Sequence, residues 1–144
     1  MTPAAAVARA LGGAKVLKAD IQSELDLASA AMDGMSADAA ARVLESGLLT
    51  ADELYELVIP RQTFDRRREE KQPLTVVEAD RLLRVVRVAV RAADAIGDAD
   101  KARMWLRTPN TVLRGETPMS LLSTDIGART VERVLGRIEH GIAS

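Results

Sequence analysis

A chain of 144 residues that holds one Trp, one Tyr and one Phe must build its core from aliphatic side chains. Aromatic residues make up 2% of the sequence and hydrophobic residues 47%. Strands are enriched in aromatic and β-branched residues, so a core of Leu, Val, Ile and Ala favours packed helices, and the expected fold class is all-α. With 28% charged residues, the chain can bury one moderate core or two small ones.

The absence of cysteine excludes a disulfide framework and a thiolate metal site. No apolar run approaches the roughly 18 residues of a membrane span. The Ala-rich start carries Arg9, Lys15 and Lys18 within it rather than ahead of a hydrophobic stretch, so no signal peptide is expected there. These features point to a cytoplasmic protein without a membrane partner. Catalysis finds little support. His140 is the single histidine, there is no Gly-rich phosphate loop, and nothing groups the acids for a carboxylate mechanism. No catalytic residue, cofactor or metal site is expected.

Caps and breakers divide the chain into helices. An Ala-rich segment near 4–11 stops at Gly12-Gly13. A second helix after Asp20 is expected to bury Ile21, Leu25, Leu27 and Ala28. Ser36 offers an N-cap to a helix with Ala40, Val43 and Leu44 on one face, ending at Gly47. Thr50 and Glu53 have capping-box spacing, which opens a short helix through Leu54, Leu57 and Val58. Pro60 suits the first turn of the next, over about 60–70. Thr75 and Glu78 repeat the capping box and begin the longest helix, near 76–96. Leu82, Val85, Val86, Ala89 and Ala93 form its core stripe, while Arg81, Arg84, Arg87 and Arg91 line another face. Asp98 caps a helix with Ala102, Trp105 and Leu106 on its apolar side, which Pro109 halts. Pro118 opens a single turn, and a last helix from about Asp125 aligns Val131, Val134, Leu135, Ile138 and Ile142.

Formal net charge is −1, but its distribution is uneven. Residues 61–91 hold 9 basic against 5 acidic side chains, and residues 1–60 hold 4 against 9. Within the basic part, the helices near 37–46, 50–58 and 61–70 have the layout of a helix-turn-helix unit, with the last as recognition helix. Arg61, Gln62, Thr63, Arg66 and Arg67, with Lys71 just beyond, are candidate DNA-binding residues. Arginine forks and amide side chains can read base edges, and hydroxyls and lysines suit phosphates. A solvated helix whose arginines pair with Asp65, Glu69 and Glu70 is the alternative.

Two patterns carry a resemblance. From 102 onward the chain reads Ala102, Trp105-Leu106, Pro109-Asn110, Leu113, Gly115, Pro118, Leu121-Leu122, Thr124, Gly127, Val131, Leu135, Ile138 and Gly141. The order and spacing of these positions resemble the toxin-binding domain of Xre/MbcA/ParS antitoxins, partners of RES-type toxins. Ile59, Arg61, Thr63, Arg66-Arg67, Leu74, Glu78, Asp80-Arg81-Leu82, Arg84 and Val88 resemble the Xre-like half of the same family. The resemblance covers about residues 36–144.

The resemblance implies a domain order: a variable helical extension over 1–35, an Xre-like helix-turn-helix and dimerisation region over 36–97, and a small toxin-binding domain over 98–144. It implies an inhibitor rather than an enzyme. RES toxins destroy NAD or transfer its ADP-ribose, and the antitoxin closes the NAD site, in part with its C-terminal end. Arg137, His140 and the free carboxylate are then expected to reach the toxin's dinucleotide pocket, with Asn110, Gly141, Ile142 and Ser144 completing the toxin-binding set. Gly141 would let the chain leave the helix in a left-handed conformation, and it also reads simply as a C-cap. Trp105 reads as core, and Gly127, early in a helix, as a site of close packing. The expected partners are a RES toxin, a second copy of this chain and operator DNA. The alternative is a stand-alone helix-turn-helix transcriptional regulator.

Overall fold

A computed structural model describes residues 1–141, and among these nine α-helices and two 3-10 turns account for the regular structure, with no strand. One compact unit runs to Val86 and a second starts at Arg87, the division falling inside the longest helix.

The first unit opens with α1 (Pro3–Ala10), capped by Thr2, whose hydroxyl accepts from the Ala5 N–H at 3.0 Å. Gly12-Gly13 ends this helix but does not release the chain. Gly12 turns at φ +105°, and α2 (Gly13–Leu17) starts at once. A β-carbon on Gly12 would overlap the Val16 side chain, so only glycine makes this corner. The next helix, α3 (Glu24–Met32), starts at a reciprocal capping box of Ser23 and Asp26. It buries Leu27, Ala30 and Ala31, and Ile21 is buried just ahead of it. Leu25, 74% exposed, and Ala28 face outward, contrary to the expected face. Residues i and i+2 do not share a helix face, so Leu25 and Leu27 cannot both turn inward.

The trihelical segment then follows the expected punctuation except at Pro60, which stands at the N-cap of the third helix and not in its first turn. It comprises α4 (Asp38–Glu45), α5 (Ala51–Leu57) and α6 (Arg61–Glu69). The Ser36 hydroxyl accepts from the Asp38 N–H at 3.1 Å. Thr50 and Glu53 make both capping-box bonds, at 3.2 and 2.9 Å. α2 and α5 both pack on α4, and α1 packs on α2 and α3, so residues 1–35 share this unit's core through Val7, Leu11 and Ile21. Phe64, 3% exposed, fastens α6 inward, its ring centroid 6.3 Å from that of Tyr55.

The long helix α7 (Val76–Ile96) begins at the Thr75–Glu78 box, bonded at 2.9 and 3.2 Å. Leu82, Val85, Val86 and Ala89 are buried as expected; Val88 and Ala92 join them, and Ala93 is half-buried.

In the second unit α8 (Ala99–Leu106) is capped by Asp98, which accepts from the Lys101 N–H at 2.9 Å, and buries Ala102 and Leu106, with Trp105 half-buried. Two 3-10 turns, Thr111–Leu113 and Met119–Ser123, lead to α9 (Asp125–Glu139), which packs on the second of them. Gly127 permits that approach, because a β-carbon there would overlap the Leu121 carbonyl oxygen. Ala128, Val131, Val134 and Leu135 form the buried side of α9, and Ile138 is half-buried.

Candidate functional site

Two surfaces collect the residues singled out in the sequence, one in each unit. In the first, α6 turns Phe64 and Arg67 inward, three residues apart, which leaves Arg61, Gln62 and Arg66 on its exposed side. Thr63 is half-buried. Asp65 sits among them, 3.9 Å from Arg61. Arg68 lies over the Phe64 ring at 5.8 Å and 3.4 Å from Asp38.

Arg67 differs from the rest of the expected DNA-reading set. Its Nε donates to Glu78 Oε1 at 2.7 Å and its Nη2 to Oε2 at 3.1 Å, and the two side chains are only 16% and 12% exposed. Burial pushes the Glu78 carboxyl up, but the Arg67 fork, the Thr75 backbone N–H and the Thr75 hydroxyl outweigh it and hold the group below the usual glutamate range. The fork is engaged on both prongs by a buried carboxylate, so Arg67 joins α6 to the start of α7.

Lys71 ends α6 in the left-handed region, φ +53°, while Gln72 N–H donates to the Arg67 carbonyl at 2.8 Å and Lys71 N–H to that of Arg68 at 3.3 Å. This is a Schellman closure made without glycine. Lys71 opens onto a groove of about 1030 Å³ that also holds Lys15, Lys18, Arg42 and Arg68. Lys15, Lys18 and Arg42 stand in the otherwise acidic first 60 residues, where regional charge hides them.

In the second unit Arg137 and His140 are exposed and line one cleft of about 660 Å³ with Arg91, Arg129, Glu132, Arg133 and Gly136. His140 terminates α9, and Gly141 follows with φ +70°. Asn110 is not part of this cleft. Its carboxamide oxygen accepts from the Val112 N–H at 2.9 Å, and its carbonyl accepts from Leu113 and Gly115, so it organises the 109–116 loop. Ile142, Ser144 and the terminal carboxylate lie outside the described residues. Sequence reasoning missed Arg129 and Arg133, although their spacing of four from Arg137 is visible, and it missed Arg91, which comes from a distant helix. No group of His, Asp or Glu side chains among the described residues could hold a metal.

Residues 91–141 match the C-terminal toxin-binding domain of Xre/MbcA/ParS antitoxins, and residues 26–87 match the antitoxin Xre-like helix-turn-helix domain. A protein named antitoxin Xre from Pseudomonas putida is 36% identical over 122 residues, which is 85% of this chain and 76% of that one. The chain belongs to the Xre antitoxin family. Two further proteins named antitoxin Xre, from Photorhabdus laumondii and Yersinia enterocolitica, are 43% and 41% identical over 58% and 60% of the chain, which spans 57% and 59% of their own lengths. The family is non-enzymatic, and the chain is accordingly not an enzyme. Its second unit contains the toxin-binding segment, which indicates a cognate toxin as partner. No described helix is long and apolar enough to cross a membrane.

Proposed function

We propose that this antitoxin neutralises a RES-domain toxin, one that degrades NAD or transfers its ADP-ribose, by closing the toxin's active site with its C-terminal region. The observation that carries the reading is the end of α9, where Arg137 and His140 share an exposed cleft and Gly141 turns the chain out of the helix. A polar helix end at which the chain turns outward presents donors suited to a dinucleotide pocket. Asn110 would act from the neighbouring loop by holding its form. Residues 98–144 would carry this activity. Residues 36–97 would pair two copies and present α6 to operator DNA through Arg61, Gln62, Thr63, Arg66 and Lys71, with 1–35 as a helical extension. Two α6 helices in a dimer could meet half-sites about one helical turn apart, which is the basis for autorepression.

The test is growth and cellular NAD after induction of the cognate toxin gene, alone, with the full chain, and with the chain lacking Ile142 to Ser144. Rescue by the full chain that fails on truncation is expected. Rescue by both would reject the tail mechanism. No rescue by either would reject neutralisation and favour a helix-turn-helix regulator whose second unit senses another partner.

A further inference from the structure

We propose that the outer edge of α9 is a cationic docking strip for an acidic face of the cognate toxin, with Arg133 and Arg137 as its anchors. The inference rests on the toxin-neutralising reading and adds the chemistry of the partner's surface. Arg129, Arg133 and Arg137 recur every fourth residue and His140 follows, a run that advances about 16 Å along the helix.

A row of arginines on an exposed helix is ordinarily neutralised by its own acids. Here the acids are turned away. Glu132 lies 2.9 Å from Arg87 and 3.9 Å from Arg91, and Glu139 lies 3.1 Å from Arg91, so both face α7. Arg129 is held by Asp125 at 3.0 Å. Arg133 and Arg137 have no ion pair among the described residues, and their charge is left on the surface. Between them sits Gly136, where a β-carbon would come within 3.3 Å of the Arg91 guanidinium. Its absence lets the Arg91 guanidinium lie against α9 at that point, so Arg91 adds to the cationic lining, and arginine forks match a carboxylate bidentately. The strip also falls inside the segment that matches the toxin-binding domain.

The experiment measures association of the full chain with the purified cognate toxin at low and high ionic strength. It compares wild type, Arg133→Glu/Arg137→Glu, the neutral pair Arg133→Gln/Arg137→Gln, and Lys101→Glu as a charge reversal elsewhere in the unit. The wild type should associate fast at low salt and slow as salt rises. The double reversal should associate roughly tenfold slower or worse and lose most of that salt dependence, the neutral pair should fall between, and Lys101→Glu should match wild type. Circular dichroism shows whether each variant is folded, and the neutral pair carries the test if the reversal is not. Wild-type association by folded double variants overturns the proposal. Absence of toxin binding by the wild type is a separate outcome, which overturns the neutralisation reading beneath it.

Discussion

Arg67 and Glu78 show at the scale of single residues how one ion pair can change a functional assignment. Helical spacing places five basic residues near α6 but does not say which turns inward. Phe64 does not decide it, since Arg61, Arg67 and Arg68 all stand three or four residues from it, and only the buried Glu78 of the next helix selects Arg67. The pair is buried and bidentate, and each partner removed alone strands the other. Glu78→Ala is expected to lower stability by about 3 kcal/mol in a denaturant melt. Because the Glu78 carboxyl is held below the usual glutamate range in the folded chain, its contribution is fully present above that range and is lost as pH falls through the depressed folded value. The gap between wild type and Glu78→Ala should therefore close in acid. A gap that persists there would show that the loss comes from packing and not from the charged pair.

At the scale of elements, caps were the most legible features, because they depend on residues three apart in sequence. The boxes at Thr50–Glu53 and Thr75–Glu78 form as read. The short α2 was not legible. Paired glycines signal a stop, and only the tertiary contact of α2 with α4 shows that the chain resumes helix at once. Gly127 was legible as an anomaly, since glycine inside a helix costs roughly 1 kcal/mol against alanine and needs a reason. The reason is the Leu121 carbonyl of the preceding 3-10 turn, which takes the place of a side chain. Gly127→Ala should thus destabilise, by about 1–3 kcal/mol, where helix propensity alone predicts a gain. Thermal melting decides the sign. A raised midpoint would mean that the turn moves aside freely and does not set the position of α9.

At the scale of the whole molecule, the all-α class was legible because composition and periodicity do not depend on long-range contacts, and the order of the two halves because each carries its own family resemblance in the order and spacing of its residues. The α9 cleft was not, because it combines Arg91 of α7 with Arg129, Arg133 and Arg137 of α9, residues far apart in sequence. The proposed function gives the two surfaces different work. On the proposed reading the exposed side of α6 offers Arg61, Gln62 and Arg66 for contact with an operator, while Arg133 and Arg137 of the second unit lie exposed on α9. On that reading the two activities can be lost one at a time. Arg61→Ala/Arg66→Ala removes two exposed cations that bury no surface, so the fold should stand and toxin neutralisation should be unchanged. Operator affinity should fall at least tenfold, with a shallower dependence on salt, as expected when phosphate or base contacts are lost. Gel-shift titration against the promoter fragment, run beside the growth rescue, measures both on the same variant. Unchanged operator binding would move the DNA contact away from α6, with the basic groove around Lys15, Arg42 and Lys71 as the next surface to test. Loss of rescue would show that neutralisation needs the first unit as well, so that pairing of two chains or docking on DNA takes part in holding the toxin.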